Sequence, residues 1–143
     1  MSYFDSAYIA KFYLDEPESD AVRRLAESLG RVRCALLGQV EVAAVFHRKF
    51  REGAFEEGVL REVVAQFNDD CAQGLWTWLP FTASLAANAV GAFGRLPRLI
   101  FLRAADALHL SCARAHGLRE IYTGDRHMSA AARHFNLKPM VIR

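Results

Sequence analysis

Residues 103–115 read RAADALHLSCARA. The segment reads as a buried helix from about Leu102 to Gly117, apolar on nearly every face, with a break at Pro97 before it and a glycine stop after it. Its reading decides the fold class, because it stands between two short segments that read as strands, LWTWLP (75–80) and EIYTGD (120–125). Yet this helix carries Asp106. A carboxylate buried without partners is strongly disfavoured or takes up a proton, so something must compensate it there.

The same alternation extends in both directions. SYFD (2–5) is a short apolar strand closing on an acid, and Tyr8, Ile9, Phe12 and Tyr13 follow at helical spacing. PESDAVRRLAESLG (17–30) puts Val22, Leu25, Ala26 and Leu29 on one helix face and stops at Gly30. RVRCALL (31–37) reads as a second strand. A helix is expected from Gln39 to Gly53, then another ending at Gly74, with LWTWLP as the third strand. FTASLAANAVGAFGRL suggests a further helix, EIYTGD a fourth strand, RHMSAAARHFN a short helix and KPMVIR a closing strand. Strands separated by helices predict an α/β fold, a three-layer α/β/α sandwich with a mostly parallel sheet.

The chain has 143 residues, a length that predicts a single domain over 1–143. Its composition, 52% hydrophobic and 24% charged, excludes a disordered chain. A net charge of +2 excludes a protein that grips nucleic acid by bulk charge alone. Among the cations only Lys11, Lys49 and Lys138 are lysines; the arginine excess suits phosphate binding or reflects codon bias. Cys34, Cys71 and Cys112 form no CxxC pair and fall in apolar runs, which predicts buried thiols in a reducing compartment. The amino terminus lacks a basic region and meets Asp5 early, and no apolar run spans a bilayer, so a cytoplasmic location is expected, with no membrane partner.

In an open parallel sheet, ligands sit outside the carboxyl ends of the strands. Asp5 and Asp125 fall at two such ends, although each taken singly is better explained as a cap of the helix that follows, or for Asp125 as an Asx turn. Glu41 in QVEVAAVF and Asp106 in LRAADALHL lie in segments too apolar to hold a carboxylate without cause. For Asp106 a local partner exists in Arg103, one turn earlier; Glu41 has none nearby and is otherwise an exposed residue. Four such acids converging on one point would repel unless a cation lay among them. Hard carboxylate oxygens suit Mg²⁺ or Mn²⁺, which supports phosphodiester hydrolysis by lowering the pKa of bound water and offsetting charge on phosphate. Ser6 and Thr123, next to the strand-end acids, are supporting candidates; helix capping and β-propensity account for them equally well.

The segments FDS, VEVAAVF, RAADALHLSCA and TGD, in that order, resemble the PIN domain, most closely the VapC-like toxins of bacterial toxin–antitoxin pairs. The resemblance runs from Asp5 to PMVIR. It implies a metal-dependent endoribonuclease in which Asp5, Glu41, Asp106 and Asp125 are the catalytic, metal-holding quartet. It also implies Mg²⁺ or Mn²⁺ as cofactor, an RNA substrate, a homodimer and a cognate antitoxin protein. The chain departs from the family's usual pattern at Gly38 and Gln39, read as preceding the glutamate helix, and at Met128.

Other readings are weaker. The five histidines have no HExxH-like spacing and are expected on the surface or behind a site. Trp76 and Trp78 are expected in the core, and Glu56, Glu57, Asp69 and Asp70 on solvated faces. A phosphoaspartyl phosphatase, another Mg²⁺-dependent phosphoryl hydrolase, would want a second acid where Ala7 stands. A catalytically inactive PIN-like binding module would not require the quartet intact.

Overall fold

The computed structural model describes all 143 residues. Five strands, β1 (Ser2–Phe4), β2 (Val32–Ala35), β3 (Trp76–Leu79), β4 (Glu120–Tyr122) and β5 (Lys138–Met140), form one sheet in the order β3-β2-β1-β4-β5. Every neighbouring pair is parallel, so the sheet is parallel throughout. Seven helices flank it: α1 (Ser6–Tyr13), α2 (Ser19–Leu29), α3 (Leu37–Arg51), α4 (Glu57–Gln73), α5 (Ala83–Phe93), α6 (Ala104–Ala115) and α7 (Arg126–Ala132). A strand covered on both faces needs no alternation of apolar and polar residues, and β1 is buried at each of its positions.

The chain winds from β1 through β2 to β3, then crosses back to β4 and continues to β5. Right-handed crossovers place helices of the first run on one face and those of the second on the other. The packing follows suit: α1 meets α2 and α3, and α3 meets α4, while α5 packs on α6 and α6 on α7. Winding direction therefore reverses between the adjacent strands β1 and β4. Their carboxyl ends open the crevice where an α/β sheet of this kind holds ligands.

Two helix starts differ from the sequence reading, each for a local reason. α6 begins at Ala104, because Arg103 has extended dihedrals and occupies the cap position rather than the first turn. α3 begins at Leu37, two residues before the expected start at Gln39, so Gly38 lies inside it and not ahead of it. A Cβ on Gly38 would sit 2.6 Å from Cys34 Sγ and 3.2 Å from the Trp78 ring. The missing side chain is what lets the first turn of α3 seat against β2. After α7 the predicted helix tightens into a 3-10 turn over Arg133–Phe135, ended by Asn136 with φ of 56°.

Trp76 is buried as expected, but Asp70 is not a purely solvated residue. The Trp76 indole donates to the Tyr13 hydroxyl at 2.6 Å, and that hydroxyl donates to Asp70 at 2.7 Å, tying β3, α1 and α4 together. Cys34 and Cys112 are buried and Cys71 partly so; burial pushes all three thiols up, Cys112 to about 11, as expected of packing residues. No helix is long and apolar enough to cross a membrane.

Gly38→Ala forces either Cys34 or the α3 backbone to move and is expected to destabilise the protein by about 1–3 kcal/mol. Gly58→Ala, whose new Cβ would meet nothing within 4 Å, is the control. It is expected to leave stability unchanged or raise it by up to about 1 kcal/mol; urea unfolding of both variants checks the pair.

Candidate active site

The reversal of winding brings the ends of β1 and β4 side by side, with Phe4 paired to Tyr122. One residue further on, Asp5 leaves β1 and caps α1, its Oδ1 accepting from the Tyr8 amide at 2.8 Å. The capping reading is thus correct for Asp5, and Ser6 is simply the first residue of α1. Asp5 is only 4% exposed. Burial pushes its carboxyl above the ordinary aspartate range, outweighing the Thr123 hydroxyl, the Tyr8 amide and His109; nearby Asp106 pushes the same way.

Thr123 continues β4 and is fully buried; its hydroxyl accepts from the Asp125 amide at 3.0 Å and so shapes the turn into α7. Asp125 caps α7, with Oδ1 accepting from the amides of His127 at 2.7 Å and Met128 at 2.9 Å. Burial alone would raise its carboxyl. The Met128 and His127 amides and the Arg103 guanidinium win, and hold it below the ordinary range.

Asp106 lies in the first turn of α6 and is buried. Its Oδ2 accepts from Arg103 Nε at 2.9 Å, and the same guanidinium reaches Asp125 Oδ2 at 2.8 Å through its second nitrogen. The local ion pair with Arg103 therefore exists, but it is also a bridge between two elements. The Arg103 side chain is 59% exposed, so water screens both contacts and the bridge adds little to stability. Glu41 stands on α3, partly exposed, and accepts from His109 Nε2 at 2.5 Å. The contacts fall into two sets: Arg103 joins Asp106 to Asp125, and His109 joins Glu41 to Tyr3. No three of the histidine, cysteine, aspartate or glutamate side chains form a ready-made ligand group; Arg103 contacts Asp106 and Asp125, and His109 contacts Glu41.

The PIN domain family profile matches residues 2–134, nearly the whole chain and all of this site. The chain belongs to the PIN domain family. PIN domains are generally metal-dependent nucleases. A comparison with curated proteins gives no match.

In this PIN domain the residue that sequence reasoning missed is His109. It is 1% exposed, with both ring nitrogens engaged. The Tyr3 hydroxyl accepts from the Ala35 amide at 2.9 Å, which leaves its proton to be donated to His109 Nδ1 at 2.6 Å. Nε2 then carries the hydrogen given to Glu41. A buried tyrosine on β1 and a buried histidine on α6 thereby fix a carboxylate on α3. The available signal was a histidine one turn after Asp106 in an otherwise apolar helix; its partners lie too far along the chain to be inferred.

Asp5 and Asp125 should move stability in opposite directions. The raised Asp5 carboxyl makes its contribution fully present below about pH 4 and lost as pH rises through its folded value. Asp5→Asn is therefore expected to raise the melting temperature in EDTA at pH 7, the gain vanishing near pH 3. The depressed Asp125 carboxyl contributes above about pH 4 and loses that contribution as pH falls through its lower folded value. Asp125→Asn should cost stability at pH 7 and cost nothing in acid. Melting curves from pH 3 to 7 that show the same sign for both variants would refute this account.

Proposed function

We propose that the protein is a Mg²⁺- or Mn²⁺-dependent endoribonuclease and the toxin of a toxin–antitoxin pair, acting as one PIN domain in the cytoplasm. The observation that carries the reading is the burial of Asp5 and Asp106 near each other at the switch point of the sheet, Asp106 paired with an exposed arginine and Asp5 with no cationic side chain bonded to it. Two carboxylates in that position gain most from a compact cation of higher charge.

Asp5, Asp106 and Asp125 offer the hard oxygens such a cation takes, and Glu41, steadied by His109, offers a fourth carboxylate for it or for its waters. Arg103 would release Asp106 and Asp125 and turn its guanidinium to the scissile phosphate, since planar forks suit phosphate as well as carboxylate. Thr123 holds the turn that presents Asp125, and Ser6, the first residue of α1, would offer a hydroxyl next to Asp5 along the chain. A bound divalent ion supplies a water of lowered pKa and charge to offset the phosphate. Glu41 and Asp106 would orient that water, and a cation beside Asp5 would offset the burial that pushes its carboxyl upward.

The homodimer and the antitoxin rest on the resemblance to VapC-like toxins. Val90, Phe93, Leu99 and Phe101, large apolar side chains left exposed in one stretch of chain, support a partner-covered surface there. A second reading, a PIN-like binding module without catalysis, draws on Arg103 spanning two of the four acids.

The two readings differ in a cleavage assay. The parent protein is expected to cut RNA with Mg²⁺ or Mn²⁺ and to stop in EDTA; Asp5→Asn and Asp106→Asn should fall to the EDTA background. His109→Gln should raise the metal concentration for half-maximal cleavage by about 10–100-fold, as loss of a group that orients a ligand does. Cleavage that survives EDTA and both aspartate variants defeats the mechanism. Growth arrest on expression in a host, abolished by Asp5→Asn, supports the toxin; arrest that persists supports the binding module.

A further inference from the structure

On the α5–α6 side, away from the acids, a cavity of about 360 Å³ opens between α5, the carboxyl end of α6 and the 3-10 turn after α7. That volume falls in the range of small-molecule sites, roughly 300–1,000 Å³. Along α6, eight residues separate Arg114 at this cavity from Asp106 at the acidic crevice, or about 12 Å. None of its eleven lining residues is acidic. Its polar lining is Asn88, Arg95, Ser111, Arg114, His134 and Asn136, and the rest is alanine, Gly91 and Phe135.

The site is built rather than incidental in two respects. Ser111 is 4% exposed, lines the cavity, and its hydroxyl has no hydrogen-bond partner in the protein. A buried hydroxyl left unpaired is costly, and such a group in a native fold calls for a missing partner. Second, Gly91 lies inside α5, where glycine weakens a helix, and a Cβ there would come 3.2 Å from an Arg95 guanidinium nitrogen. The bare helix backbone gives that guanidinium room to lie close across α5 at the cavity. Arg95 and Arg114, like most of the chain's arginines, have no carboxylate partner; what sets them apart is that both line this one cavity. Complementing the last carbonyls of α6 would account for Arg114 alone, and for neither Arg95 nor Ser111.

We infer that this cavity binds a phosphorylated ligand of nucleotide size, its phosphate held by Arg95 and Arg114 and hydrogen-bonded by the Ser111 hydroxyl. Two unpaired guanidinium forks, a free hydroxyl and two carboxamides suit an oxyanion, and the apolar remainder suits the ligand's body. The phosphate could belong to a free nucleotide or to an RNA strand; the chemistry that recognises it is the same. The inference does not depend on the nuclease reading.

Calorimetric titration of the full chain in EDTA tests it, with inorganic phosphate, a nucleoside 5′-monophosphate and a short RNA as probes. The monophosphate should bind one saturable site. Arg95→Gln combined with Arg114→Gln should weaken it by about tenfold or more, the loss expected for charge-assisted hydrogen bonds. Asp106→Asn should leave it unchanged. RNA binding that needs the two arginines while the monophosphate fails to bind also supports the site and assigns the phosphate to a strand. Ser111→Ala should weaken binding while leaving the free protein's melting temperature unchanged or higher. Absence of saturable binding by all three probes overturns the inference, as does binding indifferent to the arginine pair or abolished by Asp106→Asn. Because EDTA removes the catalytic metal, none of these outcomes turns on whether the protein cleaves RNA.

Discussion

Asp5 is held almost out of contact with water at the end of the central strand, and the surrounding groups answer to that constraint. Burial pushes its carboxyl above the ordinary aspartate range, outweighing the Thr123 hydroxyl, the Tyr8 amide and His109 together. Packing requires β1 in the middle of the sheet, because Tyr3 and Phe4 are completely buried. The next residue is then fixed at the point where the winding reverses, and placing an acid there commits the fold to an electrostatic cost at its centre. Folds keep such costs where chemistry needs them.

Around Asp5, the other carboxylates are stabilised by different means. Asp125 draws on two helix amides and Arg103 and ionises readily, whereas Asp106 has only the exposed Arg103. Glu41 depends on a relay of buried polar groups running from the Ala35 amide through Tyr3 and His109. Such networks are rigid when every member is paired, as here. The result is a graded site, in which the most strained carboxylate sits deepest and the arginine that spans two others is the most easily displaced.

Much of this was legible along the chain. The order of strands and helices followed from apolar periodicity and from stops at Gly30 and Gly74, both of which adopt positive φ. Asp106 and Glu41 stood out because their segments are apolar, and Asp5 and Asp125 because they end strands. Boundaries were read less well where side-chain chemistry is silent: Gly38 reads as lying ahead of the glutamate helix, yet here it is inside α3 and lets that helix begin early against Cys34. Asp70 read as a solvated residue because its partner Tyr13 lies 57 positions away.

The amino-acid sequence by itself determined the element order and the parallel class of the sheet, and it singled out four acids as candidates, because periodicity and burial cost are local properties. The tertiary structure alone decided which groups those acids meet. Arg103 turns from a neighbour of Asp106 into a bridge to Asp125, and His109 becomes the donor to Glu41 across 68 residues. The physical reason is that hydrogen bonds and charge pairing depend on distance in space, and the crossover from β3 back to β4 is what brings those distant segments to one end of the sheet.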